Sequence, residues 1–201
     1  MSINYDHLLN IWTKGLNQEQ ALLEIYRRVR DIPYQFTATR DVETLLKTNS
    51  GTCTAKHILF SEMVHRLGYN TRFIVDEMDL SDLLQGLNRE DAVVKNLFQL
   101  ASDLDNYFHT YTQIMIDSRW VSVDLSFDST LAPYGFKVSR WDGKNDTGLI
   151  HIPIKTYVVE DRPDELKTQM LIDESEENRQ LRKMFFNKLN EYMISLRNFP
   201  I

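Results

Sequence analysis

The chain has 201 residues, 42% of them hydrophobic and 26% charged, enough to bury a full core, which predicts one compact domain over residues 1–201. A formal charge of −6 and a pI near 5.4 argue against a nucleic-acid partner, which needs clustered Lys and Arg to replace phosphate counterions. The first residues, MSINYDHLLNIWTKG, have neither a basic start nor a small-residue cleavage site, and no apolar run approaches the ~20 residues that span a bilayer. A soluble, cytoplasmic protein with no membrane partner is expected.

In chain order, NQEQALLEIYRRVR (17–30) opens with Asn17 and Gln20 at capping-box spacing. Ala21, Leu22, Ile25, Tyr26 and Val29 then form a helical stripe that should stop before Pro33. A short helix over 41–47 leads to S50-G-T-C-T-A-K-H, which carries the single cysteine, Cys53. From there Ala55, Ile58, Leu59, Met63 and Leu67 recur at helical spacing up to Gly68, so Cys53 falls in the first turn of a buried helix. One cysteine closes no internal disulfide and acts as a free thiol or thiolate.

TRFIVD (71–76) reads as a strand, and 78–106 as helical, with Asn88 as N-cap and Val94, Leu97, Phe98, Ala101 and Leu104 as the apolar face. HTYTQIMI (109–116) and RWVSVDLSF (119–127) alternate around Asp117-Ser118 and predict a β-hairpin. Residues 149–159 read as a further strand, placed at an edge by Pro153. The chain ends in a long helix over about 175–197, whose Phe185, Phe186, Tyr192 and Met193 are core residues with an exposed remainder that could form a homodimer face.

A two-residue hairpin turn makes paired positions sum to 235, so His109 and Asp124 share a face as diagonal neighbours, ~7 to 8 Å apart at Cα. A three-residue loop would put them on opposite faces. Ile114, Ile116, Val121, Val123 and Leu125 form the other, apolar face, which needs helices packed on it. A thiolate forms near neutrality when a helix N-terminus and an imidazolium both favour its charge. Cys53 has the first, and His109, held in one tautomer by Asp124, would supply the second. The Cys53 backbone N–H, an orphan donor at the helix start, would point into an oxyanion hole.

In G51-T-C53, A55-K, R66-L-G68, T71-R-F73, His109 and R119-W-V-S-V-D124, the chain resembles the transglutaminase-like branch of the papain-like cysteine enzymes, over about residues 20–130. The resemblance implies an α+β fold with helices packed on an antiparallel sheet, Cys53 as nucleophile, His109 as base and acid, and Asp124 as its orienter. It implies acyl transfer or hydrolysis at an amide carbonyl of a protein or peptide substrate through a thioester, as in a cysteine peptidase, amidase or transglutaminase. Two departures stand out: Tyr111 takes the place of the aromatic that follows the His as H-x-W, and 78–106 looks like an insertion. Tyr34 and Gln35 are candidates for the second oxyanion donor.

The alternative is a non-catalytic interaction module on the same fold. Alone, Cys53 would be an inert core side chain, His109 a half-buried strand histidine and Asp124 a turn former. His57, four residues after Cys53, makes a rival Cys–His pair with no evident carboxylate to orient it. His65 reads as a last-turn dipole partner, and His7 and His151 have no partner pattern. No zinc-ligand spacing and no calcium-loop motif is present, so no cofactor or metal is expected.

Overall fold

The computed structural model describes residues 3–105 and 107–198. Four helices come first: α1 (Tyr5–Thr13), α2 (Gln18–Arg30), α3 (Val42–Thr48) and α4 (Cys53–His65). Strand β1 (Thr71–Met78), helix α5 (Ala92–Ser102), and strands β2 (Tyr107–Ile116) and β3 (Arg119–Val123) follow. Strand β4 (Lys155–Val159) and helices α6 (Pro163–Met170) and α7 (Glu176–Asn198) complete the chain. The strands form one antiparallel sheet in the order β3-β2-β1-β4.

Helix α2 begins as its sequence demands: Gln20 N donates to Asn17 Oδ1 at 2.9 Å and Asn17 N donates to Gln20 Oε1 at 3.1 Å. Helix α4 is capped by Thr52, whose hydroxyl accepts from Ala55 N. It is buried almost all round, more than its predicted stripe required, because α2 and α3 cover one side and the sheet the other. Its buried polar side chains are each satisfied. Thr54 meets Thr110 at 3.1 Å, His57 Nδ1 meets Thr112 Oγ1 at 2.9 Å, and Lys56 Nζ donates to the carbonyls of Arg30, Ile32 and Ser126.

Two apolar clusters hold the molecule. Leu22, Ile25, Tyr26, Leu59, Phe60 and Met63 pack on Ile114, Val121, Val123 and Leu125. Each such side chain contributes about 1.5–3 kcal/mol on burial. The second cluster joins Cys53, Met78, Leu84, Val94, Leu97, Phe127, Phe185, Phe186 and Met193. Helix α7 also clasps the segment after α2: Phe186 stacks on Phe36 with centroids 3.7 Å apart, and Asn190 exchanges hydrogen bonds of 2.9 and 2.7 Å with the Phe36 backbone. Phe185, Phe186 and Met193 are core, as expected.

Several boundaries differ from expectation. The hairpin turn is the predicted pair, with Asp117 and Ser118 at φ 48° and 63°, and the register sums to 235, but β3 ends at Val123 instead of residue 127. The segment 78–106 is not one helix. Met78 pairs with Tyr107 in the sheet, a 3₁₀ turn covers Leu80–Leu84, and Gly86 lies so close to Gly135 that a Cβ there would come 2.0 Å from its carbonyl oxygen. Helix α5 is then capped by Asp91, which accepts from Val93 N and Val94 N, while Asn88 only closes a turn onto Glu90 N. Asn106, the last residue of the expected helix, lies outside the described residues. The expected strand over 149–159 pairs only from Lys155 onward, since Pro153 has no N–H and Ile152 N donates to the Asp82 side chain instead.

Candidate functional site

The opening turn of α4 is built from the loop before it. Gly51 N donates to Pro33 O at 3.1 Å and Gln35 N donates to Gly51 O at 3.0 Å, a short parallel bridge that sets the entry to Cys53. A Cβ at Gly51 would come 2.9 Å from Leu45 Cδ1, so any larger residue here would push the buried Leu45 side chain aside. Cys53 is the first residue of the helix, so its N–H has no intrahelical acceptor.

His109 lies in β2 and Asp124 just beyond β3. Their parity brings them together: His109 Nε2 and Asp124 Oδ2 are 2.9 Å apart, both side chains buried. Nδ1 is left as the nitrogen for the sulfur. The other carboxylate oxygen of Asp124 accepts from Ser126 N at 3.0 Å and Ser126 Oγ at 2.7 Å, and Asp124 N donates to Thr147 Oγ1 at 2.8 Å. His57 stands 3.8 Å from the same oxygen. The rival pairing fails on geometry, since His57 turns its nitrogens to Thr112 and toward Asp124 and Leu125 N. The expectation that no carboxylate lies near it is corrected as well.

The charges follow from these neighbours. Burial raises the Cys53 thiol, but the Lys167 ammonium and then the His109 hydrogen bond and charge overcome it and hold the thiol well below its ordinary range. Burial lowers His109, yet the charge and hydrogen bond of Asp124, reinforced by Cys53, raise it to about 10. Burial opposes ionisation of Asp124, but His109 first and His57 second hold it well below the usual carboxylate range. The state these shifts favour is a thiolate–imidazolium–carboxylate row.

Lys167 was not anticipated. It comes from α6, is 1% exposed, and places Nζ 3.9 Å from Cys53 Sγ and 3.2 Å from Thr54 Oγ1. Burial lowers it to about 8 against the opposing Cys53 charge. A readable signal for α6 existed in Pro163 followed by Asp164 and Glu165, a helix-start pattern, but nothing local tied it to Cys53. His151 was also missed: its Nε2 lies 2.9 Å from Asp76 Oδ2 and its ring centroid 4.7 Å from that of His109. Asp76 is the cross-strand partner of His109, a register that the intervening 32 residues hide from local pattern.

The two oxyanion candidates divide. The Tyr34 and Gln35 backbone N–H groups are committed, to Asp128 Oδ2 at 3.0 Å and to Gly51 O. The Tyr34 phenol remains, in the same buried cluster as Cys53 and raised by burial first and by the Cys53 charge second. Arg197 of α7 fixes its backbone by donating to Tyr34 O and Asp128 Oδ2. A cleft of about 740 Å³ opens beside the start of α6, between residues such as Tyr5, Arg40, Glu62 and Arg162, but is not lined by Cys53, His109 or Asp124. His65, at the end of α4, accepts from Thr71 N at 3.2 Å instead of acting only on the helix end.

No curated protein matches the chain. Among solved structures it is similar to one described as "a Putative Cysteine Protease from Cytophaga hutchinsonii", at 14% identity and a TM-score of 0.41, over 77% of this chain and 50% of that one. The chain thus spans half the length of that protein. No helix among the described residues is long and apolar enough to cross a membrane. The model of the transglutaminase-like superfamily matches residues 9–125, more than half of the chain and all of Cys53, His109 and Asp124, and the protein belongs to that superfamily.

Proposed function

We propose that the protein is a cysteine-dependent enzyme of acyl transfer at amide carbonyls, with Cys53 as nucleophile, His109 as general acid and base, and Asp124 as the group that orients His109. The observation that carries this reading is the buried 2.9 Å His109–Asp124 pair set beside a depressed thiol at a helix start. The Cys53 thiolate attacks the carbonyl carbon. Negative charge developing on the oxygen is met by the Cys53 N–H and the Tyr34 hydroxyl. His109 gives its proton to the leaving amine, and a thioester remains on Sγ. His109, now neutral, takes a proton from water, which releases the acid and restores the thiolate. We read the reaction as hydrolysis of a peptide or amide; an amine in place of water would give transamidation.

A specific observation favours the second reading, a non-catalytic module: Cys53 is only 6% exposed, with the side chain of Lys167 packed over its sulfur. One experiment separates the two. The protein is incubated with an electrophilic probe that mimics a glutamine side chain or a peptide carbonyl, and intact mass is followed. Catalysis predicts one adduct at Cys53, absent in Cys53→Ala and slowed about 10³-fold or more in His109→Ala. A native protein that takes no adduct at any pH supports the interaction module. Product analysis with an added primary amine then tells hydrolysis from transamidation.

A further inference from the structure

Behind the catalytic row stands a second histidine–carboxylate pair that the proposed reaction does not use. Asp76 on β1 is 0% exposed and His151, in the segment before β4, is 5% exposed. His151 Nε2 lies 2.9 Å from Asp76 Oδ2. A carboxylate accepts, so Nε2 carries the proton, and in the Nε2–H tautomer Nδ1 presents its lone pair. That Nδ1 is buried with no hydrogen-bond partner, as is Asp76 Oδ1. An unsatisfied buried acceptor is costly unless a ligand meets it. One donor atom each from His109, Asp124 and His151 lie within 4.8 Å of one another.

We propose that His109, Asp124 and His151 form a binding site for a divalent transition-metal ion, Zn²⁺ being the best fit, and that its occupancy shuts off Cys53. The donor set is two imidazoles and a carboxylate, which suits zinc and leaves a fourth position for water. Zinc bonds of about 2.0–2.2 Å require donors roughly 3.3 Å apart in a tetrahedron. His109 Nε2 and Asp124 Oδ2, at 2.9 Å, need to open by only a few tenths of an ångström. His151, whose donor atom lies within 4.8 Å of the other two, closes the third side by a movement of up to about 1.5 Å, toward the spacing zinc requires. Asp76 is the outer carboxylate that fixes the tautomer of a metal-bound imidazole.

Charge also balances, since the Asp76 and Asp124 carboxylates together neutralise a dication. The metal replaces the proton between His109 and Asp124. With Nε2 metal-bound, His109 keeps its proton on Nδ1 and has no lone pair to receive one, so it no longer serves as base.

The proposal rests on the assigned role of His109 only for its inhibitory consequence; binding is measured independently of activity. Zn²⁺ is titrated into the full chain in competition with a chromophoric chelator, with folding of each variant checked by circular dichroism. One equivalent is expected to bind to the wild type and to Cys53→Ser alike. His151→Ala should weaken binding by more than 100-fold, and Asp76→Asn by 10–100-fold. Co²⁺ in the same site should give a visible spectrum without a thiolate charge-transfer band. Absence of binding, unchanged affinity in folded His151→Ala and Asp76→Asn, or loss of binding in Cys53→Ser, which would mark a Cys53–His109 site, each overturns the proposal. If zinc binds as predicted while no carbonyl probe ever reacts with Cys53, the site stands and the catalytic reading falls.

Discussion

At the scale of single residues, the site works by surrounding one sulfur with groups whose charges favour its ionised form. Asp124 acts on that sulfur through His109. Replacing it by Asn keeps the shape but presents an amide N–H to Nε2, which favours the wrong tautomer. Asp124→Asn should therefore lower kcat/KM by about 10⁴ in a steady-state assay with the peptide substrate class proposed here. Tyr34→Phe tests a different contribution. The ring still packs edge-on to Phe127 with centroids 5.1 Å apart, so the fold should be kept while the hydroxyl is lost. A fall in kcat of about 10²–10³ with little change in KM is expected if the phenol stabilises the oxyanion. An unchanged kcat would remove Tyr34 from the site. The three proposed catalytic side chains were legible in the sequence because each sits at a marked place: a glycine before a helix, a strand opening, and a W-V-S-V-D strand end. Lys167 and His151 were not, because their partners lie 114 and 75 residues away and are brought together only by packing.

At the scale of elements, α4 and α6 contrast. Helix α4 buries Leu59, Phe60, Met63 and Val64 completely. Leu59→Ala should cost about 2–5 kcal/mol in chemical denaturation, the range for a buried leucine that leaves a cavity. Helix α6 buries only Pro163 and Lys167, and starts from Arg162 in a left-handed conformation with no side-chain cap. Its hold on the molecule is thus concentrated in a lysine against Cys53. Amide hydrogen exchange should be markedly faster in α6 than in α4. Lys167→Ala, compared with the wild type at about pH 9.5, above the reference thiol value of about 8.5, should speed alkylation of Cys53 by uncovering it. Equal or slower labelling would show that α6 does not limit access. The elements themselves were readable where caps and periods agree, as in α2 and the hairpin. Segment 78–106 misled because its apolar period continues through a turn that only the Gly86–Gly135 approach reveals.

At the scale of the whole molecule, the buried charges tie stability to pH. The depressed Cys53 thiol contributes stability above its unfolded value of about 8.5, lost as pH falls through the folded value; the raised His109 contributes below about 6.5, lost as pH rises through its folded value. Between about 6.5 and 8.5 the folded pair and the unfolded pair each bind one proton, so the pair adds no slope there. Below about 6.5 the unfolded chain binds one more, and stability falls. The stability difference between wild type and Cys53→Ser should accordingly be fully developed near pH 8.5 and shrink as pH falls toward 5 in thermal melts. The same pair carries the central claim, that Cys53 is a thiolate because His109, together with Lys167, makes it one, and ultraviolet thiolate absorbance followed against pH tests it most directly. The wild type should keep its thiolate well below the reference value of about 8.5, and His109→Ala should raise the midpoint by about one unit or more, with Lys167 retaining part of the shift. A wild-type midpoint near 8.5, or one that His109→Ala leaves unmoved, would contradict it.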